Sequence, residues 1–96
     1  MKVLLWKARF RILTEPQSLK EKRSVIKSML ARIRQRFPLS AAEVGQHDLF
    51  NSAEFGFCSV GTDSAELERL AEKCRNHLER DFPVEFYQED LSVESF

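Results

Sequence analysis

Hydrophobic and polar residues alternate along the first segment of the chain, from residue 2 to residue 13. Apolar side chains take the even positions between Leu4 and Ile12, while Lys7, Arg9 and Arg11 take odd positions. A period of two is typical of a β-strand that buries one face. We therefore predict a strand whose even-numbered face packs on the core.

A helical pattern follows between Ser18 and Phe37. Ser18 is a capping residue, and Glu21 three positions later completes a capping box in which each side chain bonds the other residue's backbone N–H. Apolar residues then recur at steps of three and four, as in one stripe of an α-helix. They are Leu19, Val25, Ile26, Met29, Leu30, Ile33 and Phe37. Pro38 disfavours helical geometry in the residue before it, so the helix is expected to end at Phe37.

The rest of the chain predicts three more strands and a second helix. We expect strands at residues 39–44, 53–60 and 84–93, a turn-rich loop at 45–52, and a fraying tail at 94–96. Asp63 or Ser64 caps the second helix, which Pro83 stops after about Phe82. This βαββαβ order favours an α+β ferredoxin-like sandwich, with an antiparallel sheet of strand order 4-1-3-2 and both helices on one face.

Length and composition predict a single globular domain that spans residues 1–96. The hydrophobic share of 43% and the charged share of 31% are typical of soluble proteins. Cys58 and Cys74 are too few for a disulfide framework or a zinc site. The apolar run near residue 5 is too short for a signal peptide or a membrane span. We expect a cytoplasmic protein with no membrane partner, no metal and no small-molecule cofactor.

Charge is distributed unevenly, although the formal net charge is zero. Residues 1–40 hold eleven bases and two acids, whereas residues 41–96 hold four bases and thirteen acids, so the two parts carry +9 and −9. Beside the apolar stripe of the first helix, four bases lie within about 60° of one another. They are Lys20, Arg23, Lys27 and Arg34, with Arg32 and Arg36 flanking them. Either the acidic part of this chain or of a second copy neutralises them, or they form a free basic face.

A free basic face on a helix favours phosphate binding, because phosphate contacts need clustered Lys and Arg on a rigid element. Recognition of single-stranded RNA on the sheet would need exposed aromatic residues, but Phe55 and Phe57 are assigned to the core and Tyr87 alone remains outside. We therefore predict a non-enzymatic protein that contacts the phosphates of structured RNA or of the ribosome through its first helix. The alternative is a homodimeric protein-interaction module with no nucleic-acid role.

The uncovered face of the predicted sheet carries an apolar patch at one end. Because the third and fourth strands run opposite to the first, the patch is expected to contain Val3, Leu5, Cys58, Val60, Leu91 and Val93. At the other end acids are expected opposite the three bases of the first strand, where opposite charges across strands are favourable. These acids are Glu54, Glu85 and Glu89. An uncovered apolar patch is typical of self-association, so we expect a homodimer.

Catalytic motifs are not apparent in the sequence. Only His47 and His77 could act as bases near neutral pH, and neither has a nucleophile at a motif spacing. Asp48 follows His47, so an acid–base pair in this loop is the enzymatic alternative. The three glycines are isolated and form no phosphate-binding loop.

Three short elements of the chain resemble the bacterial YlxP-like family of unknown function. They are SLKEKR at 18–23, Glu43-Val44 with Asp48-Leu49-Phe50, and Ala53-Glu54-Phe55-Gly56. The chain departs from the family at Phe50 and Gly45, where members often have Trp and Asp. The resemblance covers about residues 1–93. It implies a ferredoxin-like fold, a cytoplasmic location and a role near RNA or the ribosome, and it supplies no catalytic residues.

Overall fold

The fold consists of a four-stranded antiparallel sheet and two helices, described by a computed structural model for all residues, 1–96. The elements are β1 (Lys2–Ile12), α1 (Leu19–Arg36), β2 (Ser40–Gly45), β3 (Ser52–Gly61), α2 (Ser64–Asp81) and β4 (Val84–Ser95). The strand order is β2-β3-β1-β4, so β2 and β4 form the edges of the sheet. This order confirms the predicted ferredoxin-like sandwich.

A single hydrophobic core lies between the sheet and the helices. The even-numbered residues of β1 between Leu4 and Ile12 are all buried, which confirms the face predicted from the alternation. They share one cluster with residues such as Met29 of α1 and Leu78 of α2, so both helices cover the same face of the sheet. No element of the chain covers the opposite face, which is termed the open face below.

The boundaries of α1 follow from its capping residues. Ser18 Oγ accepts a hydrogen bond from the Glu21 N–H at 3.2 Å, as predicted. The Glu21 carboxylate, however, accepts from the Gln17 N–H at 2.6 Å rather than from Ser18. The backbone is extended again at Phe37, ahead of Pro38. Neither α1 nor α2 has the length and apolar character that a membrane-crossing helix needs.

Hydrogen bonds define the start of the second helix and the end of the last strand. Asp63 precedes α2 and caps it, because its carboxylate accepts a hydrogen bond from the Ala65 N–H at 2.9 Å. β4 continues to Ser95, beyond the predicted end. Phe96 and Met1 then exchange two backbone hydrogen bonds of 2.8 and 2.9 Å. The tail is therefore paired, and the expectation that it frays is wrong.

A β-bulge interrupts the pairing of β4 with β1. Phe10 pairs with Phe86, but the preceding Arg9 pairs with Gln88, so Tyr87 is an extra residue in β4. Because successive strand residues point to opposite faces, one extra residue reverses the faces of every later position.

This reversal moves half of β4 away from its predicted face. Leu91 pairs with Trp6 and Val93 pairs with Leu4, and both β1 residues are buried under the helices. Val93 packs against the core on the helix side, so its assignment to the open apolar patch is wrong. Leu91 has the same register but is 43% exposed at the edge of the sheet, where it lines one groove with Leu5 and Cys58. Glu89 also lies on the helix side, where its carboxylate accepts a hydrogen bond from Trp6 Nε1 at 3.1 Å.

Candidate functional site

Four exposed bases form a row along α1, termed the basic ridge. It consists of Lys20, Arg23, Lys27 and Arg34. None of the four has a carboxylate within ion-pair distance. Arg34 donates a hydrogen bond to the Ala41 carbonyl oxygen at 3.2 Å, which places the ridge beside the edge strand β2. At ~1.5 Å of helix rise per residue the ridge is about 21 Å long.

Several of the other bases are held by carboxylates. The pairs are Arg9–Glu54, Arg11–Glu85, Arg32–Asp81 and Arg75–Glu89. The first two lie on the open face and confirm the matching predicted there for Glu54 and Glu85, whereas Glu89 pairs with α2 instead. Arg32, expected beside the ridge, is neutralised by α2, while Arg36 has no acidic partner. The acidic part of the chain therefore neutralises bases elsewhere and leaves the ridge charged.

Lys22 is a base of α1 that does not belong to the ridge. Its side chain is buried, and its Nζ lies 3.3 Å from Glu43 Oε2 and donates to the Gln46 carbonyl oxygen at 2.7 Å. Glu43 Oε2 is buried and accepts no hydrogen bond of good geometry, so the pair is held chiefly by charge. The sequence signal was present, because Lys22 precedes Ile26 by four residues and so continues the apolar stripe.

A hydrogen-bond network orders the start of the loop at 46–51. Gln46 adopts a positive φ of 59°, and its side-chain oxygen accepts from Ser52 Oγ at 2.5 Å. Tyr87 reaches the same Ser52 hydroxyl at 2.9 Å, and its hydrogen bonds with Ser52 and Gln46 lower the pKa of Tyr87 against the effect of burial. The Arg11 guanidinium lies over the Tyr87 ring, 4.9 Å from its centroid. The lone outward aromatic of the sheet is therefore already engaged by the protein.

The two histidines lie in different surroundings. His47 is exposed in the loop, with its Nε2 3.8 Å from Glu43 Oε1. His77 packs edge-on against the Phe37 ring, and Arg80 and Arg32 approach its two ring nitrogens at 3.0 and 3.2 Å. Burial lowers the pKa of His77, and the nearby guanidinium groups lower it further. No group of three His, Cys, Asp or Glu side chains is placed to hold a metal ion.

The open face contains a shallow apolar groove next to the predicted interface patch. Val3 pairs with Val60 and Leu5 with Cys58 on this face, as predicted. The groove itself continues from Leu5 and Cys58 toward β2, which the sequence prediction did not include. Val44 joins it because a second irregularity, between Glu43 and Gly45, turns this side chain toward Gly56.

In sequence, this chain is similar to a family of unknown function and to an uncharacterized relative. The sequence profile of the family described as a protein of unknown function, DUF503, matches residues 3–90. The chain is 34% identical over 58 residues to the uncharacterized protein YlxP of Bacillus subtilis (strain 168). That match covers 60% of this chain and 63% of the length of that relative.

Solved structures with a similar fold are more distant. The de novo designed protein Foldit4 superposes with a TM-score of 0.51 at 16% identity, over 100% of this chain and 99% of its own. A mutant of SnoaB, a cofactor-independent oxygenase from Streptomyces nogalater, gives a TM-score of 0.49 at 13% identity over 98% and 92% of the two chains. The first likeness supports the fold alone, and the second carries no functional argument.

The family match covers most of the chain. Two of the elements that resemble the YlxP-like family also meet in the structure, where Lys22 of the first is paired with Glu43 of the second. The matched region, residues 3–90, takes in both helices, nearly all of β1, the whole of β2 and β3, and the first part of β4. The chain therefore belongs to the DUF503 family, whose members include YlxP-like proteins and whose function is unknown.

Proposed function

We propose that this protein is a non-enzymatic RNA- or ribosome-associated protein that contacts the phosphates of structured RNA through the basic ridge. The observation that supports this proposal is that four unpaired bases lie together on the ridge, whereas Arg9, Arg11, Arg32 and Arg75 are each held by a carboxylate. A base that is ion-paired with a carboxylate contributes little net positive charge to the binding of a phosphate. An unpaired base displaces counterions from a nucleic acid, and that release supplies most of the affinity for phosphates.

The rigid spacing of the ridge bases favours binding to phosphates that are held at fixed positions. Its four bases stand on one rigid helix, so their spacing is set before binding. The length of about 21 Å is enough to span several successive phosphates along one strand of a duplex. Folded RNA presents phosphates at fixed positions, whereas a flexible single strand must be ordered on binding. We therefore expect the ridge to prefer a duplex stem over an unpaired strand.

Tyr87 already makes contacts within the protein, which supports binding of phosphates rather than stacking of nucleic-acid bases. Stacking of bases needs a free aromatic face, and the Arg11 guanidinium already covers one face of this ring. The ridge and Tyr87 also lie on opposite sides of the sheet. Binding through the ridge should therefore depend on charge and shape and little on base sequence.

The proposal is tested by filter binding of an RNA hairpin to a matched pair of charge-reversed variants. One variant is Arg23→Glu with Lys27→Glu, in the ridge. The control is Arg69→Glu with Lys73→Glu in α2, which changes the same two residue types at the same spacing. Arg69 and Lys73 are also exposed and have no acidic partner.

We expect the ridge variant to lose roughly tenfold or more in affinity and the control to lose much less, because only the ridge contacts phosphates. Equal loss in both variants would contradict the proposal, since it would indicate unspecific attraction to the whole surface. Polyglutamate serves as a competing probe. Retention of polyglutamate without retention of the hairpin would favour the alternative, a protein-interaction module that meets an acidic surface.

A further inference from the structure

A groove of about 640 Å³ crosses the open face of the sheet. Its apolar lining comes from all four strands and includes Leu5 of β1, Cys58 of β3, Val44 of β2 and Leu91 of β4. Gly56 forms part of the floor, and a Cβ at this position would lie 3.0 Å from Val44 Cγ1. Because Gly56 has no Cβ, the Val44 side chain has room to pack directly against the sheet. Leu5, in the central strand β1, and Val44, in the edge strand β2, are each about half exposed.

One lysine and one aspartate flank this groove. Lys7 of β1 and Asp90 of β4 both line it, and they are partners in the β1–β4 register. They nevertheless form no ion pair with each other or with any other residue, unlike Arg9 and Arg11 on the same face. The groove thus carries an apolar floor and one unpaired charge of each sign.

We propose that the occupant of the groove is the same groove of a second copy of this chain, related by a twofold axis. In a twofold interface one surface must complement itself, apolar against apolar and each charge against its opposite. The groove meets this requirement: Leu5 and Val44 would pack between the two sheets. Lys7 of each copy would pair with Asp90 of the other copy.

The dimensions of the open face suit such a dimer. The eleven residues of β1 extend about 36 Å at ~3.3 Å per residue, and four strands span about 19 Å at ~4.8 Å per strand. Because β2 has only six residues, the face offers about 620 Å², at the lower end of the roughly 600–1,000 Å² per partner of standard stable interfaces. Pairing of the open faces leaves α1 on the outside, so the basic ridge stays accessible in the dimer.

Mass measurement by sedimentation or light scattering tests the dimer directly. The wild-type protein should have twice the 11.2 kDa mass of the chain. Leu5→Glu places a charge on the groove floor and should give the monomer mass. Leu49→Glu is the matched control, since Leu49 is exposed to a similar degree, 46% against 49%, but lies in the loop away from the groove. Leu49→Glu should remain dimeric.

The charge pair gives a second test that does not depend on folding of the Leu5 variant. Lys7→Glu and Asp90→Lys should each raise the dimer dissociation constant tenfold or more, because each places like charges opposite one another. The double variant, Lys7→Glu with Asp90→Lys, should restore dimerisation by exchanging the charges. A monomeric wild-type protein, a dimer that tolerates Leu5→Glu, or a double variant without recovery would overturn the proposal. RNA binding by a monomeric variant would leave the proposed function intact, so the two can fail separately.

Discussion

Lys22 of α1 and Glu43 of β2 form an ion pair inside the protein, with Nζ 3.3 Å from Oε2 and side chains only 3% and 17% exposed. The pair joins the first helix to the edge strand, and so holds the basic ridge beside β2. It also connects two of the elements that this chain shares with its family. A charge buried in this way depends on its partner, because the protein interior solvates it poorly.

Lys22→Met is expected to lower the free energy of unfolding by about 3 kcal/mol, because it leaves the Glu43 carboxylate buried without its counter-charge. Replacing both residues, as Lys22→Met with Glu43→Leu, should recover most of this loss, since no buried charge then remains. Urea denaturation measures both changes.

Lys20→Met is the control for this prediction, because it makes the same substitution two residues away at an exposed position. It should change the free energy of unfolding by no more than about 0.5 kcal/mol. If Lys22→Met is as stable as Lys20→Met, the ion pair has no structural role.

The lowered pKa of His77 should reduce the free energy of unfolding in mildly acidic solution. Burial lowers the pKa of His77 below its usual 6.5, and Arg80 and Arg32 add to this, although Asp81 opposes it. The unfolded chain therefore takes up the proton first as the pH falls below about 6.5, and stability is lost from there down through the folded pKa. Above about pH 6.5 both states are neutral and this contribution is fully present.

His77→Gln removes this titration, so the free energy of unfolding should vary less between about pH 7 and pH 5.5 than in the wild-type protein. Urea denaturation at several pH values measures both profiles. Parallel profiles for wild type and His77→Gln would show that His77 does not titrate differently on folding.

The two cysteines provide a chemical test of the open face. Burial raises the pKa of Cys74 to about 12, so this thiol should be inert to a chromogenic disulfide reagent at about pH 8. Cys58 is exposed in the single chain but lies in the groove. Its labelling rate should fall as the protein concentration rises in the wild type and should stay constant in Leu5→Glu. A wild-type rate independent of concentration would argue against pairing through this face.

The fold was predictable because local and global signals agreed. The alternation between Leu4 and Ile12 defined both a strand and its buried face, and Ser18 marked the start of the helix that follows. The strand order then followed from the sequence of elements and the handedness of their connections.

The faces of the later β4 residues were predicted wrongly because a β-bulge interrupts the strand without changing its hydrophobic pattern. The bulge at Tyr87 lies in a polar run that continues through Gln88 to Asp90, so no change in periodicity marks it. It nevertheless moved Val93 to the helix side. The bulge also leaves Asp90 on the open face beside Lys7, and this juxtaposition could not be predicted from uninterrupted alternation.

The sequence predicts that the bases of the basic ridge lie in a row, but it does not predict that they lack acidic partners. Helical spacing alone places its bases on one side of α1. Whether acids reach them depends on where α2 and β4 lie, and only the folded chain shows that Asp81 reaches Arg32 while no acid reaches Arg23 or Lys27. Lys22 was counted with the other bases although it continues the apolar stripe.

The most direct test of the RNA proposal is the salt dependence of hairpin binding in the wild-type protein and in the variant with Arg23→Glu and Lys27→Glu. With four ridge bases engaged, the logarithm of the association constant should fall against the logarithm of salt concentration with a slope of about −3 to −4. The variant should have a slope shallower by about 2, one unit for each lost phosphate contact. Identical slopes in the two proteins, or a wild-type affinity that does not respond to salt, would contradict binding of phosphates by the ridge.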